Sequence, residues 1–430
     1  MTDSGEMTVG VVFTGPVMGG LERTVCRLIE ILQASGFRVI ALTSRPPDDD
    51  FFPMPSCGGR ETIGGWKTRL ERDERLRLLR EAVRRHRMDV VFLHQYYSPI
   101  LAEEISVVRA ENAKVVVHFH SCASTWFARE KGSLDVMHQF DALRSADSVI
   151  TLSPTNEALF RLLGVKARFI PNPVEDVPAN VVRERRPGSA DMVWIGRFDA
   201  SVKRPLDAVK IFERVQGRWP NATLTMVGND GGDAEKEVMG YLASHHAVGC
   251  AVRLAGCQPS PWPFLAKSDL ALLTSSVEGF PGVVAEAYAA GVPVVGYTLP
   301  LVDICRNPDA YHAVAQGDVD AAAARTLDLL SSPEKMHRAT TAARAAFEEY
   351  AKFDLQASYR TLLEEVRSGA DSVAPIVADE RVREAVAGLF MHACACRRLY
   401  VASRKQAKAA RRTLLEHVVH GVMKVFGGRS

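Results

Sequence analysis

Apolar residues in this chain fall into short unbroken runs, and the stretches between them carry a helical period. The run "VGVVF" (9–13) ends at "TGPVMGG". In "LERTVCRLIEILQASG", Leu21, Val25, Leu28 and Leu32 then share one helical face, and Gly36 marks the stop. "RVIALT" is the next strand. This order predicts a βαβ opening, hence a parallel sheet covered by helices. A charged helix over about 67–87 leads into "DVVFLH" (89–94), and "KVVVHFH" (114–120), "DSVITLS" (147–153) and "ARFIPNP" (167–173) follow. Runs of Val and Ile without alternation predict strands buried on both faces, as in doubly wound sheets.

The rhythm breaks at "EDVPANVVRERRPGSAD", which is polar, holds Pro and Gly and has no period; it reads as a linker. A second series starts at "MVWIGRF" (192–198) and continues with "ATLTMVG" (222–228), "VRLAG" (252–256), "LALLTS" (270–275) and "VPVVGY" (292–297). The expected class is α/β, with two Rossmann-like doubly wound domains facing a cleft. The expected boundaries are 1–178 and 190–350, with a basic helical extension over 351–430. From Asp371 to Ser430 there are eleven Lys/Arg against five Asp/Glu.

A length of 430 residues suits two domains. The chain is 47% apolar and 24% charged, an ordinary globular mix, and a net charge of +2 gives no global field for nucleic acid. "MTDSGEMTVG" has neither the basic nor the apolar region of a signal peptide. No apolar run approaches the ~18 residues of a membrane span. A cytoplasmic location is expected. The eight cysteines are scattered; Cys394 and Cys396 form one C-x-C, and structural zinc usually takes four ligands, so reduced thiols are expected. "DDD" at 48–50 follows "RPP" in a polar loop and reads as solvated rather than metal-binding.

"SSVEGFPGVVAEAYAAGVPVVG" (275–296) carries two glutamates, Glu278 and Glu286, with seven residues between them. Pro281 suits a first helical position, Gly282 admits a ligand to the backbone, and Gly291 ends the helix. A helix start beside the carboxyl end of "LALLTS" offers free N–H groups to an anion. Carboxylates there make sense as hydroxyl ligands: two sugar rings gripped, with phosphates between them. The residues alone leave open that Glu278 orders the bend and Glu286 is solvated. "IGRFDASVKRP" places Arg197 and Lys203 in a loop opening on the same cleft, a fork and a point charge suited to a diphosphate, although two surface cations would read alike. His118 and His120 are an i, i+2 pair on one strand face; His120, at the carboxyl end, is nearer the cleft. His94 holds the same place one strand earlier and is a candidate for the acceptor site.

With these motifs in order, the chain resembles glycosyltransferase family 4, retaining nucleotide-sugar enzymes of GT-B fold. The E-x7-E element "EGFPGVVAEAYAAGVPVV", "GRFDASVKR", "TLSPTNEAL", "FIPNPV", "TMVGNDG" and "GG" before "LER" carry the resemblance over roughly 9–360. Within the family the likeness is to bacterial lipopolysaccharide and exopolysaccharide hexosyltransferases. The resemblance implies that Arg197 and Lys203 bind the donor diphosphate, Glu278 the transferred sugar and Glu286 the ribose. Gly279, Phe280, Pro281, Gly282 and Val283 would touch sugar and phosphate through the backbone. Gly19 and Gly20 would close over the phosphates, the turn from Gly256 to Gln258 would hold the base, and His120 would contact the donor sugar. Two departures stand out: Trp194 where the family often has a small residue, and "LPLVDICRN" in place of a Gly-Gly loop.

The expected activity is transfer of a hexose from a nucleotide sugar, UDP-glucose or UDP-galactose, to a lipid-linked saccharide, with no cofactor and no metal. The alternatives are a GDP-mannose-dependent mannosyltransferase, a UDP-sugar epimerase of the same fold, and a non-catalytic scaffold. A dinucleotide dehydrogenase lacks its G-x-G-x-x-G. The basic helix at 67–87, with nine Lys/Arg against four acidic residues, and the amphipathic tail suggest peripheral association with an anionic membrane surface.

Overall fold

The computed structural model describes residues 6–15, 20–45, 54–95, 98–123, 133–174, 177–178, 190–228, 232–299 and 301–370. Gly19, the aspartates at 48–50, Cys394, Cys396 and the basic tail from 371 onward lie outside the described residues.

The first half builds β1 (Thr8–Phe13), α1 (Gly20–Ala34), β2 (Arg38–Thr43), β3 (Gly59–Thr62), α2 (Arg69–His86), β4 (Val90–Gln95), α3 (Leu101–Ala110), β5 (Lys114–Phe119), α4 (Ser133–Ser145), β6 (Ser148–Thr151), α5 (Pro154–Leu162) and β7 (Ala167–Phe169). Its strands form one sheet in the order β3-β2-β1-β4-β5-β6-β7, and every pairing is parallel. All six residues of β1 are buried, as a strand covered on both faces requires. The edge strand β3, "GRET", was not legible as a strand. It alternates between half-buried and exposed, and its backbone pairs with β2 without an apolar run to announce it.

The second half builds β8 (Asp191–Ile195), α6 (Pro205–Gln216), β9 (Thr223–Val227), α7 (Asp233–Ser244), α8 (His246–Gly249), β10 (Val252–Leu254), α9 (Trp262–Leu265), β11 (Leu270–Leu273), α10 (Gly282–Ala289), β12 (Val294–Tyr297), β13 (Tyr311–Val314), α11 (Val319–Leu330), α12 (Pro333–Ala351) and α13 (Leu355–Ser368). The sheet order is β10-β9-β8-β11-β12-β13, again all parallel. In both sheets the strand order reverses beside the first strand, which opens the crevice where α/β proteins bind ligands.

The chain does not stay in its second half. Helix α12 packs beside α10, but α13 crosses back to the first sheet. Tyr359, Leu362, Leu363 and Val366 enter the same core as Val9, Val11, Leu28 and Phe92. Tyr359 is fully buried with its ring edge to Phe92, centroids 6.2 Å apart, and Arg168 of β7 pairs with Glu365. Residues 355–368, expected within a separate extension, therefore complete the first domain.

Most of the basic helix is committed to local partners. Thr68 and Glu71 cap α2 reciprocally. Arg77 binds Glu74 and Glu81, Arg84 binds Glu111, Arg85 binds Glu61, and Arg75 is buried against Glu104. No helix among the described residues is long and apolar enough to cross a membrane.

Candidate active site

The loop after β8 is organised by Asp199. Its Oδ1 accepts from the amides of Ser201 and Val202 and from the Ser201 hydroxyl, and its carbonyl accepts from the Lys203 amide. Burial pushes the Asp199 carboxyl up, but these hydrogen bonds and Arg197 outweigh it and hold the group below the usual carboxylate range. The loop thereby presents Arg197, whose side chain is 63% exposed and lies 3.2 Å from Asp199 Oδ2. It also presents Lys203, whose Nζ lies 2.5 Å from Glu278 Oε1. The lysine carbonyl accepts from Thr274 Oγ1 at 2.7 Å, and Thr274 accepts from Trp194 Nε1 at 3.0 Å. Trp194 is thus a buried brace tying β8, β11 and the lysine loop together, which neither the residue type nor its place in the strand disclosed.

Glu278 lies in the turn between β11 and α10, with its side chain 10% exposed. Gln316, which sequence reasoning missed, donates from Nε2 to the carbonyls of Ser275, Ser276 and Thr298 and so fixes that turn to β12. Helix α10 starts at Gly282, with Pro281 as its N-cap, one residue earlier than a first-turn proline would sit. A Cβ added at Gly282 would meet nothing within 4 Å, so the helix entrance is open to a ligand. Phe280 is in the core, with its ring edge to Tyr350. Val283 and Glu286 are half-buried, on the first turns of the helix. Gly256 adopts φ +66° and its carbonyl accepts from the Gly228 amide; Gln258 donates from Nε2 to Ala255 O at 2.6 Å.

The two halves meet at this turn. A Cβ on Gly279 would lie 2.5 Å from the His120 carbonyl oxygen and 2.8 Å from Ser121 Cα. Only glycine allows this turn to approach the end of β5 so closely. Helix α1 reaches across as well. Gly20 opens it, Arg23 Nη2 donates to Pro259 O at 2.6 Å, and Glu22 faces the charge of Arg197. Burial raises the Glu22 carboxyl above its usual range, opposed by its own backbone amide and by Arg197. The "LPLVDICRN" segment fastens the second domain to the N-terminus of α5. Leu301 O accepts from Ser153 Oγ, and Asp303 accepts from the Thr155 amide and hydroxyl.

His94, His118 and His120 form one cluster at the carboxyl ends of β4 and β5. His94 and His118 are register partners. His94 Nδ1 lies 2.8 Å from His120 Nε2, and His118 stacks on His120 with centroids 4.1 Å apart. His94 is 7% exposed, so it backs His120 instead of opening to the surface as an acceptor ligand would. One nitrogen of each ring lies within 4.8 Å of one nitrogen of the other two. Yet imidazole lone pairs lie in the ring plane, and the planes of His118 and His120 are only 26° apart. Two stacked rings in this arrangement do not aim at a common ion.

Burial keeps all three imidazoles neutral. His118 is pushed down to about 3, and His94 and His120 well below 6.5, with His118 adding to the effect on both. An unfolded histidine takes up its proton near pH 6.5. Below that pH the unfolded chain binds more protons than the folded one, so this contribution to stability is present above pH 6.5 and is lost as the pH falls. The urea midpoint is expected to fall between pH 6.5 and 5, less steeply in His118→Phe; equal slopes for the two proteins would contradict it.

Arg197, Lys203, Glu278, Gly279, Gly282, His120 and Gly20 thus converge on one interdomain cleft. Residues 19–173 match the glycosyl transferase 4-like domain, and residues 189–332 match the glycosyl transferases group 1 domain. The chain is 26% identical over 367 residues to a glycogen synthase of Mycobacterium tuberculosis, spanning 76% of this chain and 86% of that protein. It is 25% identical over 369 residues to a phosphatidyl-myo-inositol mannosyltransferase of Mycolicibacterium smegmatis, spanning 79% and 88%. Its structure superposes on that of Anabaena HepE in complex with UDP-glucose with a TM-score of 0.65 at 16% identity, over 85% of this chain and 100% of that one. With both domains matched across the cleft, the chain is an enzyme of glycosyltransferase family 4 with the GT-B fold.

Proposed function

We propose that this glycosyltransferase moves a hexose from UDP-glucose or UDP-galactose to a hydroxyl of a lipid-linked saccharide, with retention at the anomeric carbon, in the assembly of a cell-surface polysaccharide or lipopolysaccharide. The observation that carries the reading is the Lys203–Glu278 pair at the open entrance of α10, pressed by Gly279 against the end of β5. A cation from the loop after β8 meets a carboxylate and helix amides at one turn, as a sugar joined to a diphosphate requires. Support for the donor comes from HepE, whose structure holds UDP-glucose. Support for a lipid acceptor comes from the relative that mannosylates phosphatidyl-myo-inositol.

In this reading the diphosphate takes Lys203 from Glu278, and Arg197 swings from Asp199 onto the same phosphates. Glu278 then accepts from hydroxyls of the transferred sugar, and Glu286 accepts from the ribose. Gly256 to Gln258 border the base, and Gly20, with Gly19 beside it, closes over the phosphates. As the anomeric C–O bond breaks, charge grows on the departing diphosphate. Arg197, Lys203 and the α10 amides are already aimed at it, so little reorganisation is needed. The acceptor oxygen attacks from the same face, and a phosphate oxygen of the leaving group takes its proton. The cations and helix amides carry the charge without a metal. The basic tail, with the exposed Lys67 and Arg69 at the start of α2, holds the enzyme at an anionic membrane surface.

The test is donor binding and slow hydrolysis against UDP-glucose, UDP-galactose, UDP-GlcNAc and GDP-mannose, with and without EDTA. One UDP-hexose is expected to bind and hydrolyse equally in both conditions. Preference for GDP-mannose would move the enzyme to the mannosyltransferases, and loss of binding in EDTA would overturn the metal-free site.

A further inference from the structure

We infer that His94 is a positioning residue that fixes His120 as its Nδ1–H tautomer, so that His120 meets the sugar nucleotide as a neutral hydrogen-bond donor. This rests on the reading of His120 as a donor-site residue.

The histidines lie on adjacent parallel strands, with His94 opposite His118 and His120 one pleat further on. The rings of His94 and His120 are 23° from coplanar, and His94 Nδ1 is 2.8 Å from His120 Nε2. That is a nearly in-plane imidazole–imidazole hydrogen bond, in which one nitrogen donates and the other accepts. Two assignments exist. If His120 donated through Nε2, His94 would have to carry its own proton on Nε2. That atom is buried with no partner among the described residues. A buried N–H without an acceptor is rarer than a buried acceptor left unfilled. The alternative leaves only a lone pair unpartnered: His94 donates from Nδ1, and His120 accepts at Nε2 and carries its proton on Nδ1.

The consequence appears on the cleft side. His120 is half-buried, and its Nδ1 is not among the buried unpartnered atoms and has no hydrogen-bond partner among the described residues. Nδ1–H is therefore the group His120 offers to a ligand, beside the close approach of Gly279. Both nitrogens of His118 are buried without a hydrogen-bond partner among the described residues. Its ring stacks on that of His120, centroids 4.1 Å apart, and holds the plane of the imidazole. A neutral N–H at this place can donate to a sugar hydroxyl or a phosphate oxygen without adding a charge. The two strand-end histidines thus divide the work, since His120 touches the ligand and His94 sets its proton.

The test is the ring 15N NMR spectrum of histidine-labelled, ligand-free protein, with the His120 signals identified by their loss in His120→Gln. In the wild type, His120 is expected to be protonated on Nδ1. His94→Asn places an amide N–H where the His94 Nδ1–H stands and is expected to keep that tautomer and donor turnover within about threefold of wild type. His94→Leu removes the donor and is expected to move the His120 proton toward Nε2 and lower kcat for donor hydrolysis about tenfold or more. An Nε2–H tautomer in the wild type, or one unchanged in His94→Leu, would overturn the assignment. The wild-type spectrum decides even if His94→Leu fails to fold. Donor turnover in His120→Ala is a separate readout: turnover equal to wild type would overturn the donor-site reading while leaving the tautomer assignment standing.

Discussion

Lys203→Ala is expected to lower kcat/KM for the nucleotide sugar by about 10²–10³, the usual effect of removing one preorganised stabiliser of developing negative charge. The lysine is held in place before any ligand arrives. Trp194 braces Thr274, Thr274 binds the Lys203 carbonyl, and Nζ pairs with Glu278. Truncation would remove the cation and also leave Glu278, 10% exposed, as an unpaired carboxylate facing the diphosphate. The second effect separates the two roles. In Lys203→Ala/Glu278→Gln the repulsion is gone, so donor binding is expected to recover partly relative to the single lysine variant. Strict additivity of the two substitutions would mean that they act independently. Steady-state kinetics on both variants decide the matter, and a Lys203→Ala enzyme within threefold of wild type would place the diphosphate elsewhere.

Arg75→Met is expected to cost about 3–5 kcal/mol, because it takes the cation away from a buried carboxylate. Arg75 and Glu104 have side chains only 3% and 1% exposed, with Nε 2.7 Å from Oε1. The guanidinium also donates to Ser44 Oγ at 2.9 Å and Gly64 O at 2.7 Å and lies over the Trp66 ring. One arginine thus joins α2, α3, the end of β2 and the loop after β3. Removing it takes the arginine's charge and its hydrogen bonds away from a buried carboxylate, and removing both charges is far milder. Arg75→Met/Glu104→Leu is therefore expected to regain most of the loss. Urea unfolding followed by tryptophan fluorescence measures both. A single-variant loss under about 1 kcal/mol would show that water reaches the pair, and donor kinetics at low temperature are expected to stay near wild type.

The legible part of this protein is what local pattern controls. The Val- and Ile-rich runs located the inner strands to within three residues, since a strand covered on both faces has few polar positions to interrupt it. "EGFPGVVAEAYAAG" read as a turn and a short helix because Pro281 and Gly291 punctuate it. Of the four edge strands, β3 and β13 were missed because they are half-solvated and carry no apolar run, whereas β7 and β10 were read. The same limit applies to α13. Its apolar face reads as an amphipathic helix, but nothing in such a face names which core it covers.

Local pattern was enough to establish two doubly wound halves and to place polar side chains at their strand ends: Arg197 and Lys203 on one loop, Glu278 and Glu286 about a helix start, and His94, His118 and His120 on neighbouring strands. Each of those signals lies within a few residues, where spacing and turn chemistry operate. The folded chain was needed to show that Lys203 and Glu278 are partners 75 residues apart. Only there do Thr274 and Gln316 become supports of the site, Asp303 a fastener between domains, and His94 the residue behind His120. These are single polar contacts between distant segments. Burial makes each of them count, and burial at a domain cleft is set by how two sheets close on each other, which no local pattern records.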